Sequence, residues 1–318
     1  MGMTMSDIPN LRHAVSLKSY NTYRVGGEAK FFYEAHDRRA LERAVLAARE
    51  SGVPFYILGG GTNVLAPDKG FDGLVIKMMA GRVSMAREVM AAEAGVSMGT
   101  LVNKAKALGF SGLEWAAGLP GTLGGAVYGN AGSCGSETAN AAETIETFDP
   151  ISGKLKQYAK HECGFGYRDS IFKSNKEIIL GAILRLKKSD PETVMKKMVE
   201  NMKFRREHQP LSEMSAGCVF KNIEIAEFPA AAYLVEHNPE FARFKNTRFL
   251  PAGFLIDKAG LKGLKVGGAS ASERHVNFLT ADQSASQEDI SWIIKIIREK
   301  VFGIYKITLE EEIQYITK

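Results

Sequence analysis

The chain has 318 residues, 45% hydrophobic and 24% charged, with a formal net charge of +5. That length exceeds one ordinary core and calls for two or three domains. The Lys and Arg are dispersed rather than gathered in a tract, which argues against nucleic-acid binding and suits an anionic small molecule held in a cleft. The cysteines, Cys134, Cys163 and Cys218, are odd in number and show no CxxC spacing. Neither a disulfide framework nor a zinc site is expected, and a reducing compartment is the default. Residues 1–17 lack an apolar core of signal-peptide length, and no stretch is apolar enough to span a bilayer. The expectation is a cytoplasmic enzyme with no membrane insertion and no metal.

In chain order, residues 1–80 read as strand (30–33), helix (37–51), strand (55–58), a Gly-Gly-Gly turn and strand (74–77). This β-α-β alternation implies a mixed or parallel sheet. Residues 81–210 read as strand (89–94), helix (97–108), a long glycine-rich segment (118–135), strands at 144–148, 155–158 and 178–186, and a charged helix. Asp190 caps that helix, Pro191 opens it and Pro210 stops it. Residues 211–318 read as α+β: strand (219–220), helix (254–259), strand (275–280), amphipathic helix (286–302) and a closing strand (309–315). No repeat, low-complexity tract or interdomain linker is visible.

Two loops carry the strongest chemical signal. Leu58-Gly59-Gly60-Gly61-Thr62-Asn63 follows a strand directly. Consecutive glycines let backbone N–H groups converge on an anion, because no Cβ blocks the approach. The second loop contains Gly118, Pro120, Gly121, Gly124, Gly125, Gly129, Asn130 and Gly132. So much glycine is costly to order unless something flat or phosphorylated packs on it. Each loop alone also reads as a plain turn; two together favour a dinucleotide site. Neither matches GxGxxG, and there is no GxxxxGK[ST] or HExxH. Three further stretches are candidates: Tyr167-Arg168 in YRDSIFK, Cys218 in SAGCVFKN, and Glu310-Glu311-Glu312 near the end. Their bland readings are a surface turn, a buried structural thiol and a solvated edge. On a strand, Glu310 and Glu312 would share one face and Glu311 the other.

Taken in order, NTYRVGG from Asn21, LGGGTNVL from Leu58, GLPGTLGGAVYGNAG from Gly118, YRDSIFK from Tyr167, SAGCVFKN from Ser215, AGFLIDKAGLKG from Ala252 and LEEEI from Leu309 resemble the UDP-N-acetylenolpyruvoylglucosamine reductase (MurB) family over nearly the whole chain. The resemblance implies an α+β fold, with a two-lobed FAD-binding domain of the vanillyl-alcohol-oxidase (PCMH) type and a C-terminal α+β substrate-binding domain. The lobes fall at 1–80 and 81–210 and the substrate domain at 211–318. It also implies non-covalent FAD, NADPH as reductant, UDP-N-acetylglucosamine enolpyruvate as substrate, UDP-N-acetylmuramate as product, and a monomer. The FAD contacts would come from Leu58 to Asn63 and from the glycines, Pro120 and Asn130 of the second loop.

Family catalytic positions map onto Arg168, Cys218 and Glu312, and substrate contacts onto Tyr167, Arg206, Lys221, Asn222 and His275. The family's serine is a cysteine here, so a thiol would protonate the α-carbon of the enolpyruvyl ether. The short span between Arg168 and Cys218 resembles the shorter, type II class, whereas 224–249 is an insert expected to pack on the substrate domain. Thr317 stands where the family usually closes in glycine. Two rivals remain: an alcohol- or sugar-oxidising flavoenzyme of the same fold, which would not need YRDSIFK with SAGCVFKN, and a nucleotide-binding regulator without turnover.

Overall fold

The computed structural model describes residues 4–317; residues 1–3 and 318, at the outer ends of the first and third regions, lie outside the described residues. The first sheet runs Arg12–Ser16, Glu28–Ala35, Phe71–Met78, Phe55–Leu58. The last three are parallel and the first is antiparallel, so the sheet is mixed. Phe71–Met78 is central, and its Leu74-Val75-Ile76 run is fully buried, as a strand covered on both faces requires. The helix Arg38–Glu50 buries Leu41, Ala44, Val45 and Ala48 at helical spacing, and the Asp37 side chain caps it by accepting from the Ala40 N–H. The edge strand Arg12–Ser16 is mostly exposed and carried too little apolar pattern to be read from sequence.

The second sheet is antiparallel: Leu155–Ala159, Ala142–Phe148, Ile178–Arg185, Val89–Glu93, Val83–Ala86. The helices Met98–Ala107 and Pro191–His208 pack on each other and on the short strand Phe110–Ser111. The glycine-rich segment is not loop throughout. It contains the helix Leu123–Tyr128, capped by Thr122. A Cβ on Gly124 would come within 2.9 Å of the Ala94 Cβ, so this helix meets the strand end at backbone distance. Glycine's poor helix propensity hid it in the sequence.

In the third region Met214–Cys218, Phe278–Ala281, Ala269–Ala271 and Lys265–Val266 form an antiparallel sheet. The helix Gln287–Tyr305 buries Ile290, Ile293, Ile294, Ile297 and Val301. The 224–249 insert packs here through the helix Pro229–His237, with Ala231 and Val235 buried and Phe241 set edge-on against Phe254 and Tyr305.

Two strand expectations change. The strand expected at 219–220 ends instead at Cys218, where the pairing with Phe278–Ala281 is bulged and Gly217 takes φ +83°. The strand expected at 309–315 shrinks to Gln314–Tyr315, parallel to Val64–Leu65, while Glu311 bridges to Phe220. The chain end thus leaves the third region and adds to the segment after the first glycine loop. Tyr23, Val25 and Leu65 accordingly belong to the C-terminal core, and no linker separates the regions. Among the described residues no helix is long and apolar enough to cross a membrane, and no cluster of His, Cys, Asp and Glu could hold a metal.

Candidate active site

The first glycine loop is pinned from below. Lys77, opposite Leu58 in the sheet, donates from Nζ to the Gly59 carbonyl, and the Thr22 N–H donates to the Gly61 carbonyl. A Cβ on Gly61, at φ +70°, would collide with the Tyr20 carbonyl. A Cβ on Gly60 would come within 2.7 Å of the Gly121 Cα, and one on Gly59 within 2.8 Å of the Thr122 Oγ1. The two glycine loops therefore touch each other backbone to backbone. Among the described residues no hydrogen bond takes up the N–H groups of Gly60, Gly61 and Thr62. Gly118, Gly125 and Gly129 have no atom closer than 3.7 Å to where their Cβ would stand. Unused N–H donors beside open glycine surface fit a flat, phosphorylated group such as FAD. Some of the glycines expected to touch a cofactor, Gly59, Gly60, Gly61 and Gly124, are already required by the protein's own packing.

The YRDSIFK turn is bolted onto the second loop. Asn130 is fully buried; its Nδ2 donates to the Gly166 carbonyl at 2.8 Å, and its Oδ1 accepts from the Ala139 N–H at 3.0 Å. The Ser170 hydroxyl donates to the Tyr128 carbonyl at 2.7 Å. Arg168 sits at φ +55°, an uncommon conformation for a non-glycine residue. Its own carbonyl accepts from Lys173 Nζ at 2.6 Å. Its guanidinium then spans two regions: Nη2 donates to the Gly132 carbonyl at 2.8 Å, and Nε pairs with Glu312 Oε1 at 3.0 Å.

Glu312 reaches Arg168 because the 310–312 segment docks on 219–221. The Glu312 N–H donates to the Val219 carbonyl at 2.7 Å and the Lys221 N–H to the Glu310 carbonyl at 2.9 Å. Asn63 of the first glycine loop donates from Nδ2 to the Glu312 carbonyl at 3.2 Å. Glu310 and Glu312 do share one side, with Glu310 pairing with Lys221 at 2.5 Å. Glu311 points the other way, to Arg298 and the Tyr315 hydroxyl. Burial pushes the Glu312 carboxyl above its usual range, against the pull of Arg168 and Lys173.

Cys218 is half-buried, but protein crowds its thiol. Burial, with the Glu312 charge adding to it, pushes the thiol up to about 12, while Arg168 and Arg205 pull the other way. It is therefore a neutral thiol at physiological pH. The other cysteines stand apart in character: Cys163 is buried and Cys134 exposed at a hairpin turn.

The remaining candidates divide. The Tyr167 hydroxyl accepts from the Asn222 N–H at 3.2 Å, its ring packs on Phe249 at 4.2 Å, and Asn222 Oδ1 accepts from the Ala252 N–H at 3.1 Å. Tyr167, Lys221 and Asn222 thus form one wall with Arg168. His275 is partly buried beside Gly253; its Nδ1 has no partner, and burial lowers its pKa. Arg206 is not brought into this group: it is exposed, and its carbonyl accepts from Arg274. Its neighbour Arg205 is buried, and that burial lowers its pKa. The signal was in the sequence. Val194, Met198 and Arg205 lie on the inward stripe of the helix Pro191–His208, and Arg206 lies off it. Lys173 was also passed over, although its ammonium fixes Arg168.

Known proteins supply the remaining evidence. The C-terminal-domain model of UDP-N-acetylenolpyruvoylglucosamine reductase matches residues 209–316, and an FAD binding domain model matches 29–153. The reductase of that name from Chlamydia felis is 34% identical over 96% of this chain and 95% of its own length. That from Solibacter usitatus is 33% identical over 99% of this chain and its entire own length. The chain belongs to the UDP-N-acetylenolpyruvoylglucosamine reductase family. The crystal structure of the reductase from Thermus caldophilus superposes with a TM-score of 0.76 at 32% identity, covering 96% of this chain and 99% of that one. The fold class is therefore the expected one, α+β with an FAD-binding region followed by a reductase C-terminal domain. As a member of this family the chain is an oxidoreductase of peptidoglycan precursor synthesis.

Proposed function

We propose that this chain reduces UDP-N-acetylglucosamine enolpyruvate to UDP-N-acetylmuramate with NADPH and FAD, using Arg168, Glu312 and Cys218. The observation that carries the reading is their convergence: a guanidinium and a carboxylate 3.0 Å apart, flanking a neutral thiol, from segments far apart in the chain. Residues 1–80 and 81–210 are the two FAD lobes, and 211–318 is the substrate domain. Gly60, Gly61 and Thr62 would hold the cofactor's phosphates through their free N–H groups, and the open faces of Gly125 and Gly129 would lie along its body. When bound, FAD supplies the hydride that it has received from NADPH.

The protein's part is to hold charge and move one proton. As the β-carbon of the enolpyruvyl ether gains hydride, negative charge develops on the α-carbon and its carboxylate. Arg168 offers that carboxylate a permanently charged planar fork. Glu312, whose burial favours the protonated form, donates a hydrogen bond to the same developing charge. The Cys218 thiol hands its proton to the α-carbon, and the thiolate left behind is stabilised by Arg168 and Arg205 until solvent reprotonates it. Lys221, Asn222 and Tyr167 line the nucleotide side, with His275 at its edge. A reducing, cytoplasmic setting keeps Cys218 available as a thiol.

The test is an absorbance record of the purified protein. A flavin spectrum, its bleaching by NADPH and its return on adding the enolpyruvyl nucleotide are the expected sequence. A colourless protein, or NADPH oxidation indifferent to that nucleotide, would refute the reading.

A further inference from the structure

The 224–249 insert begins and ends at the wall formed by Tyr167 and Asn222. Its neck is a short antiparallel pair: Ile223 lies opposite Leu250, Glu224 lies opposite Phe249, and the Ile225 N–H donates to the Arg248 carbonyl at 3.0 Å. Asn222 Oδ1 cinches the base by accepting from the Ala252 N–H. Ile223 and Leu250 are buried, and the body of the insert is anchored separately, through Phe241 on Phe254 and Tyr305. The neck therefore holds its shape without further help, yet it makes one more contact. The Phe249 ring lies 4.2 Å from that of Tyr167, and the Arg248 guanidinium lies over Phe249 at 4.9 Å. Arg248 is fixed in turn by a two-pronged pair with Glu224, at 2.7 and 3.1 Å. Its side chain is 64% exposed, so the pair adds little stability; what it fixes is orientation. Tyr167 has few other restraints. Its hydroxyl accepts one bond, at 3.2 Å, and among the described residues no acceptor takes its own proton. The Arg168 guanidinium lies over the same ring at 5.1 Å.

We propose that Phe249, steadied by the Arg248–Glu224 pair, is a positioning residue for Tyr167, and that the insert thereby sets the affinity for the nucleotide part of the substrate. The inference rests on the proposed function, which puts Tyr167 on the nucleotide side. Phe249 and Arg248 act through Tyr167 and themselves touch neither substrate nor flavin. An aromatic ring stacked on another is held in plane without spending a hydrogen bond, so the Tyr167 hydroxyl keeps its proton for a ligand acceptor. Arg168 is held independently, by the Gly132 carbonyl and by Glu312. Loss of Phe249 therefore loosens the binding wall and leaves the reacting end in place. Binding lost equally from ground state and transition state raises KM and spares kcat.

The test compares steady-state kinetics, per bound flavin, of the parent with Phe249→Ala, Phe249→Leu and Phe249→Tyr. Phe249→Ala is expected to raise KM for the enolpyruvyl nucleotide about 3- to 10-fold, the range of one aromatic pair, with kcat within about twofold of the parent. Phe249→Leu keeps bulk without a ring and should stay raised, whereas Phe249→Tyr should return towards the parental KM. Arg248→Ala and Glu224→Ala should each raise KM about two- to threefold, and the double variant no further, because the pair acts as a unit. A second arm needs no substrate. In protein labelled with 3-fluorotyrosine, the Tyr167 line is the one lost in Tyr167→Phe. Its fluorine relaxation should report a fixed ring in the parent and a mobile ring in Phe249→Ala. A parental KM in Phe249→Ala, a fall in kcat at unchanged KM, a Phe249→Tyr protein no better than Phe249→Leu, or a Tyr167 ring equally fixed without Phe249 would overturn the proposal. A parent protein that does not bind the enolpyruvyl nucleotide would refute the functional reading instead, and the fluorine arm would still decide whether Phe249 holds Tyr167.

Discussion

Cys218 offers the sharpest perturbation, because its environment makes two numerical claims. Burial and Glu312 lift the thiol from an ordinary 9.0 to about 12. At pH 8 an ordinary thiol is roughly one-tenth ionised, whereas a thiol at 12 is ionised at about one part in ten thousand. The thiolate is the nucleophile, so iodoacetamide should attack Cys218 about a thousandfold more slowly on population alone. A more basic thiolate is also more nucleophilic, and with a Brønsted slope near ~0.45 the net slowing is roughly 40-fold. Peptide mapping of a timed alkylation at pH 8, with unfolded chain as reference, measures it directly. The same protonated thiol should matter in catalysis. A general acid contributes about 10²- to 10⁴-fold, or roughly 3–5 kcal/mol. Cys218→Ala should slow substrate-driven flavin reoxidation by that factor in stopped flow, leave flavin reduction by NADPH unchanged, and be restored in part by Cys218→Ser. Alkylation of Cys218 at the rate of the unfolded chain, or reoxidation of Cys218→Ala at the parental rate, would refute the reasoning.

The raised thiol also carries a stability signature. The folded state keeps a proton that the unfolded chain releases near 9, so this contribution is complete below that pH and is lost above it, by about 1.4 kcal/mol at pH 10. Urea melts of the parent and of Cys218→Ser should agree at pH 7 and diverge by that amount at pH 10. Gly61→Ala forces a side chain into the Tyr20 carbonyl at φ +70° and should cost more than about 2 kcal/mol with loss of flavin. Gly129→Ala, where a Cβ meets only the Gly125 carbonyl at an ordinary 3.7 Å, should fold normally and lose flavin affinity alone; flavin per chain and the urea midpoint separate the two. Asn130→Ala removes two buried hydrogen bonds, one joining the second loop to the Arg168 turn through the Gly166 carbonyl and one to the Ala139 N–H. It should lower stability by roughly 2–4 kcal/mol, read by urea unfolding. Glu312→Gln keeps an acceptor for Arg168 but offers the developing charge only an amide N–H in place of the acid's stronger O–H donor, so turnover should fall by up to about 10²- to 10³-fold with substrate affinity near parental in a flavin titration.

The sequence by itself determined the local structure and the chemical inventory. Asp37, Ser97, Asp190 and Ser286 cap their helices where a polar residue precedes apolar spacing, because capping is settled within four residues. The absence of GxGxxG beside two other glycine loops left a Rossmann site unsupported and pointed to a different cofactor cradle. Only the tertiary structure decided which residues meet. The closing segment docks on 219–221 before it pairs with Val64–Leu65, and that docking brings Glu312 to Arg168. It also decided which glycines serve packing: Gly60 and Gly124 face backbone and Ala94 from distant segments, whereas a Cβ on Gly129 would make only ordinary contact with the Gly125 carbonyl. Arg205 rather than Arg206 turns inward because helix phase is fixed by the whole stripe packed beneath it, and one residue is a 100° rotation. Caps and periodicity are short-range energies that neighbours in sequence can express; convergence at the site depends on long-range pairings, whose energies exist only once the chain has folded.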